Sequence, residues 1–240
     1  MTGRPQYERV LLKLSGEVLA GEAGSGIDPS VVDRLAGEIA EARSLGSRIG
    51  VVAGGGNFVR GATFAGNGGN RVAGDQMGML GTVMNAIAFR EALERRGVPA
   101  RIFSAMPVPT VCETFTQRDA DRAFDAGEVL LFAGGTGNPF FTTDTGAALR
   151  AAEMDCDALF KGTQVDGIYS ADPKRDPNAV RYDRLTHEDV LAKGLRVMDA
   201  AAVSLARDNG IPVIVFSILQ PGSIVAILKG EGQSTIVTDS

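Results

Sequence analysis

The run from Ala133 to Asp144, Ala-Gly-Gly-Thr-Gly-Asn-Pro-Phe-Phe-Thr-Thr-Asp, gathers glycines, hydroxyls, a helix-start signal and a carboxylate. It follows an apolar run, Val129 to Phe132, that reads as a buried strand. A second cluster, Gly54-Gly55-Gly56-Asn57, follows the apolar run Ile49 to Ala53. Glycine lets backbone N–H groups come close to an anion, and a helix N-terminus adds partial positive charge. Lys13 stands at the end of a third apolar run, in Leu11-Leu12-Lys13-Leu14-Ser15-Gly16. Two such loops and a lysine point to two phosphorylated ligands meeting face to face. The matching chemistry is phosphoryl transfer, which needs in-line positioning and cations set against the charge on the equatorial oxygens.

Each residue also has a plainer reading. A lysine in an apolar strand must be paired or lie at the strand end, so Lys13 serves either transferring oxygens or solvent. Lys161 closes the strand Ala158-Leu159-Phe160, at the strand end where open α/β sheets bind ligands. Asp144 is a first-turn carboxylate after Thr142-Thr143, and it could also orient Lys13 and Lys161. Asp75, near the start of a long helix, either complements the helix dipole or meets a ligand. Asn57 reads as a helix N-cap, with Arg60 in the first turn, able to fork onto phosphate or to sit at the surface. No Gly-x-x-x-x-Gly-Lys-Ser/Thr and no strict Gly-x-Gly-x-x-Gly is present, which disfavours a Walker loop and a dinucleotide-binding oxidoreductase. The chain offers no obvious general base. That favours an acceptor that is already ionised, a phosphate, over a hydroxyl.

The elements that must position these groups alternate strand, glycine-rich turn and helix. Val10–Leu14, Ile49–Ala53, Ala100–Ser104, Val129–Phe132, Ala158–Lys161, Ile211–Phe216 and Ser234–Val237 read as strands. Helices are expected from Asp28-Pro29 to Gly46, from about Val72 to Arg96, over Gln117–Ala126, from Thr142 or Thr143 to Met154, and over Asp199–Asn209. Residues 61–69, rich in Gly and Asn, read as a mobile loop. In the long helix Met77, Leu80, Met84, Ile87 and Leu93 could line one face, in the core or at a subunit interface. Continuous apolar strands between helices imply a three-layer α/β/α sandwich with a mostly parallel sheet. We expect one domain over residues 1–240, with residues 1–8 a flexible N-terminal segment.

The 240 residues are 44% hydrophobic, enough for a core without staples. The net charge of −5 gives no basic excess for nucleic acid or a membrane surface. Cys112, Cys156 and His187 are the only cysteines and histidine, too few for a Cys/His zinc site or a disulfide framework. His187 lies in Thr186-His187-Glu188-Asp189, a helix N-terminus, and a hydrolytic triad is not expected. No apolar run is long enough to span a bilayer, and a cytoplasmic location is expected.

Five motifs occur in order: Leu-Leu-Lys-Leu-Ser-Gly, Gly-Gly-Gly-Asn-x-x-Arg-Gly, Asn-Arg-Val-x-Gly-Asp-x-Met-Gly-Met-Leu, Gly-Thr-Gly-Asn-Pro-Phe-Phe-Thr-Thr-Asp and Val-Asp-Gly-x-Tyr-x-x-Asp-Pro. With them the chain closely resembles the bacterial uridylate (UMP) kinases of the amino acid kinase fold, from about Tyr7 to Thr238. The resemblance implies transfer of the γ-phosphoryl of ATP to UMP, with Mg²⁺ carried on the ATP phosphates. It implies ATP contacts from Lys13, Leu14, Ser15, Gly16, Gly56, Arg60, Thr163, Tyr169 and Asp172. UMP contacts are implied for Gly55, Asp75, Thr136, Gly137, Asn138, Pro139, Phe140, Phe141, Thr142 and Thr143. Lys13, Asp144 and Lys161 would surround the transferred group. A homohexamer, activation by GTP and inhibition by UTP are implied as well, with Arg90 and Arg101 at basic positions associated with the effector. Gln164 stands where several relatives carry lysine. Kinases of small carboxylates or carbamate on the same fold, and a non-catalytic nucleotide-binding or storage protein, are the competing readings.

Overall fold

Each apolar run becomes a strand, and the runs lie side by side. The structure is a computed structural model that describes residues 5–173, 175–195 and 197–239. Its strands are β1 (Arg9–Leu14), β2 (Arg48–Ala53), β3 (Ala100–Ser104), β4 (Glu113–Thr114), β5 (Val129–Ala133), β6 (Ala158–Thr163), β7 (Ile168–Tyr169), β8 (Arg181–Tyr182), β9 (Arg184–Leu185), β10 (Val213–Ser217) and β11 (Ser234–Val237). The main sheet runs β4-β3-β5-β2-β1-β6-β10-β11-β9, and β7 and β8 pair separately. Within the main sheet only β10 and β11 pair antiparallel.

The helices are α1 (Gly16–Leu19), α2 (Pro29–Ser44), α3 (Gly61–Gly66), α4 (Arg71–Glu94), α5 (Gln117–Asp125), α6 (Thr143–Glu153), α7 (His187–Ala192), α8 (Ala200–Asp208) and α9 (Ser223–Leu228). On one face of the sheet α2, α4 and α9 cover Val10, Leu12, Leu14, Val51, Leu131 and Phe160. On the other, α5, α6, α7 and α8 cover Leu11, Val52, Leu130, Phe132 and Leu159. This is the expected three-layer α/β/α sandwich. Strand alternation decides which layer each side chain meets. Lys13 follows the parity of Leu11, and Lys161 that of Leu159, so both lysines turn toward the layer that contains α6.

Several elements differ from the sequence reading. Residues 61–66 form α3 rather than a mobile loop. In α4 the core face is Met79, Val83, Ala86, Phe89 and Leu93, while Leu80 and Met84 are exposed. Asn57 caps no helix. It is buried and forms a reciprocal amide pair with Asn85, 2.9 Å in each direction, and donates to Gly26 O at 2.7 Å. The short strands β4, β8 and β9 and the helices α1 and α9 gave no sequence signal. Residues 1–4, part of the expected flexible segment, lie outside the described residues. Beyond them, Gln6 N–H donates to Leu228 O at 3.0 Å and the Tyr7 ring meets Phe160 edge-on. Among the described residues no helix is long and apolar enough to cross a membrane.

Candidate active site

The sheet order places the C-terminal ends of β5, β2, β1 and β6 next to one another. The chain turns from β1 to β2 on one side and finds β6 on the other, a topological switch point of the kind where open α/β sheets bind ligands. Lys13 and Lys161 are register partners across β1 and β6. Their side chains are about nine-tenths buried, which an ammonium tolerates only with an anion at hand. The anion is Asp144, in the first turn of α6. Its Oδ1 lies 2.7 Å from Lys13 Nζ, and its Oδ2 accepts a hydrogen bond from Lys161 Nζ at 2.6 Å.

Burial alone pushes the Asp144 carboxyl up, but the two ammonium groups outweigh it and hold it below the usual carboxylate range. Burial, with the Lys13 charge, pulls Lys161 down to about 8 against the attraction of Asp144. One carboxylate thus serves two cations, and the trio carries net positive charge.

The two glycine loops share one cavity of about 430 Å³ with Lys13 and Asp144. Its wall includes Lys13, Ser15, Gly16, Gly55, Gly56 and Arg60 from one side. Asp75, Thr136, Asn138, Phe141, Thr142, Thr143 and Asp144 face them. The first loop comes so close to its neighbours that glycine is required at the contacts. A side chain at Gly16 would lie 2.2 Å from Gly54 O, and one at Gly55 would lie 2.1 Å from Gly78 O of α4. Gly134, Gly135 and Gly137 all have positive φ, which closes the turn leading into α6. Thr142 caps α6 by accepting from Asp144 N–H at 3.0 Å, so the positive end of that helix opens beside the lysines.

Other residues singled out in the sequence lie outside the cavity wall. Leu14 is fully buried, and its carbonyl accepts from Gly54 N–H at 2.9 Å. Gly137, Pro139 and Phe140 form the outer part of the second loop. Phe140 adopts φ 71°, its N–H donates to Asp75 Oδ2 at 2.8 Å, and Arg71 stacks over its ring while pairing with Asp75. Lys161 stands behind Asp144. Thr163 ends β6 and bonds to Val165, Tyr169 on β7 donates to Asp166 at 2.7 Å, and Asp172 follows in the next turn. Thr163 O accepts from Ile218 N–H at 2.9 Å, and the Ile168 N–H beside Tyr169 donates to Thr235 Oγ1 of β11 at 2.8 Å, on the β10–β11 side of β6. Arg60 is held at the cavity mouth by Glu17 of α1.

One residue that takes part in this site went unnoticed in the sequence. Asp199, the N-cap of α8, bonds to the hydroxyls of Thr142 and Thr145 on either side of Asp144. Its sequence signal was only that of a helix start. His187 is buried away from the site, with Nδ1 2.8 Å from Asp239 and Nε2 3.2 Å from Ile211 O, and it fastens the C-terminal segment. Burial pushes both thiols up, Cys156 to about 12, which removes them as thiolate nucleophiles near neutral pH.

A site of this kind, with two anion loops and a lysine–aspartate–lysine bridge at the switch point of a parallel sheet, suits a phosphotransferase. The chain belongs to the amino acid kinase family, whose model matches residues 8–217. Within that family it is 60% identical over 240 residues to the uridylate kinase of Brucella anthropi, covering all of both chains. It is 59% identical over 239 residues, again the full length of both, to the uridylate kinase of Mesorhizobium japonicum. The crystal structure of UMP kinase from Bacillus anthracis matches with a TM-score of 0.94 at 37% identity, over 99% of this chain and 98% of that one.

Proposed function

We propose that this chain is a UMP kinase, which moves the γ-phosphoryl group of MgATP onto UMP to give UDP and ADP in pyrimidine nucleotide biosynthesis. The carrying observation is that Lys13 and Asp144 line a cavity shared by both glycine loops, with Lys161 paired to Asp144. The phosphate of UMP is ionised at neutral pH and attacks without a general base. Lys13 and Lys161 then match the negative charge spread over the transferred group, and Asp144 fixes the spacing between them. The Lys13-to-Gly16 turn, Gly56 and Arg60 take the ATP phosphates, with Arg60 leaving Glu17 to do so. Thr163, Tyr169 and Asp172 take the nucleoside of ATP. Gly55, Asp75 and residues 136–143 take UMP, and the helix α6 directs its positive end at the acceptor phosphate. Mg²⁺ enters as part of the substrate.

A homohexamer, GTP activation, UTP inhibition and a cytoplasmic setting belong to the same reading and rest on the resemblance. Val72, Leu80 and Met84 of α4, all exposed at helical spacing, supply an apolar face for association. The test is ADP release from MgATP with UMP, CMP, dUMP, carbamate and N-acetylglutamate as acceptors. UMP is expected to give the highest kcat/KM. Turnover with a small acid but not with UMP would mark a carboxylate or carbamate kinase, and tight calorimetric binding of UMP and ATP without UDP would mark a storage protein.

A further inference from the structure

Asp199 sits at the N-terminus of α8, one helix away from the lysine bridge. Capping α8 takes only one of its oxygens, with Oδ1 accepting from Ala202 N–H at 3.0 Å. The same carboxylate accepts from the Thr145 hydroxyl at 2.8 Å and, through Oδ2, from the Thr142 hydroxyl. Thr142 is the N-cap of α6, and Thr145 lies one residue beyond Asp144. An ordinary capping hydroxyl turns freely about its C–O bond. Here the proton of Thr142 is directed to Asp199, so its lone pairs face Asp144 N–H at 3.0 Å and Thr145 N–H at 3.4 Å. The path from Asp199 to the backbone of Asp144, whose carboxylate bridges Lys13 and Lys161, is therefore two hydrogen bonds long.

We infer that Asp199 is a positioning residue for phosphoryl transfer, locking the N-terminus of α6 against α8 so that Asp144 is held between the two lysines. The inference rests on the phosphoryl-transfer reading of the site. Asp199 has a second, electrostatic effect. The charged groups facing Lys161 are Lys13 from β1, Asp144 from α6 and Asp199 from the cap of α8. Burial and Lys13 oppose its charged form, and the two carboxylates favour it. Removing the Asp199 charge weakens the side that keeps the ammonium.

The test uses the full chain with MgATP and UMP. Asp199→Asn keeps a good cap for α8 but loses the charge, and its amide cannot accept from both hydroxyls. The basic limb of kcat/KM for ATP is expected about one pH unit lower, so the activity deficit at pH 9 is about fivefold larger than at pH 7. Thr145→Val removes one link and leaves the charge. Its kcat is expected to fall about tenfold with the basic limb in place, and Thr145→Ser should restore it. A limb that superimposes on the parent's in Asp199→Asn overturns the inference, and so does parental kcat in Thr145→Val. Should Asp199→Asn fail to fold, the Thr145 pair decides. A parent that forms no UDP defeats the kinase reading instead, so the two failures are told apart.

Discussion

Binding of MgATP in the absence of UMP should take up protons from solution at alkaline pH. Free Lys161 titrates at about 8, so at pH 8.5 about one quarter of the molecules carry its proton. A γ-phosphate beside the ammonium holds that proton, and binding at pH 8.5 should take up about three-quarters of a proton per site. At pH 7.5 the figure falls to about one quarter. The nucleotide contributes almost nothing in this range, because phosphate second ionisation lies near pH 6. Calorimetric titration with a non-hydrolysable ATP analogue, in buffers of different ionisation enthalpy, reads the number directly as a slope. A slope of zero at pH 8.5, or net proton release, would refute the reasoning. So would uptake that persists in Lys161→Met, since the proton would then be landing elsewhere.

The same group sets a stability trend with a definite sign. Between its folded value near 8 and the 10.5 of an unperturbed lysine, the unfolded chain binds a proton that the folded chain lacks. The contribution of Lys161 to stability therefore rises as the pH climbs through that window. Below pH 8 the buried ammonium carries its full cost, up to about 3 kcal/mol.

Three substitutions probe other parts of the site. Lys13→Ala removes a preorganised cation from the transferred group and should lower kcat about 100-fold or more, and a steady-state kcat within threefold of the parent's would show that the reaction centre lies elsewhere. Asp75→Asn weakens the anchor on Phe140 N–H and Arg71 and should raise the KM for UMP about tenfold with little change in kcat, a split resolved by saturating each substrate in turn. Gly55→Ala drives a methyl group against Gly78 O and Thr82 N, backbone atoms that cannot rotate away, and urea unfolding should register a loss of about 1–3 kcal/mol.

Much of the site was legible because its chemistry needs unusual residues in unusual places. A lysine at the end of an apolar strand stands out, and Lys13 and Lys161 share one register step on neighbouring strands. Glycines where backbones cross stand out for the same reason. Pairings across helices were not legible. Nothing local to Asp199 says that its two oxygens also reach Thr142 and Thr145 at the start of α6, because the spacing of α6 and α8 is set by packing between them. Asn57 misled because a turn residue and a helix cap look alike in sequence, whereas its partner, Asn85, lies 28 residues away. The α4 stripe was legible as core or interface, but not which residue takes which side, for another reason. Met, Leu and Ile ran around much of the helix, and only the sheet decided which side became core.

A single helix brings the two loops to one another. Asp75, Thr82 and Asn85 all belong to α4. Asp75 accepts from Phe140 N–H, Thr82 Oγ1 accepts from Gly134 N–H at 2.8 Å, and Asn85 Nδ2 donates to Gly54 O at 2.7 Å. The second loop is thus held near both ends, and the first is held where it leaves β2. Thr82 and Asn85 are buried, so a lost bond there leaves a polar group without water, a penalty of about 1–3 kcal/mol. The middle of the second loop differs. Thr136 and Asn138 bond to each other, with contacts of 3.2–3.3 Å at the surface. Fixed ends and an adaptable middle suit a loop that must keep Asp144 in place while it closes on an acceptor. The φ of 71° at Phe140 costs on the order of 1 kcal/mol, and Asp75 helps to hold it. Asp75 thus links α4 to the part of the loop nearest α6, and its substitution should disturb UMP binding before it disturbs the lysine bridge.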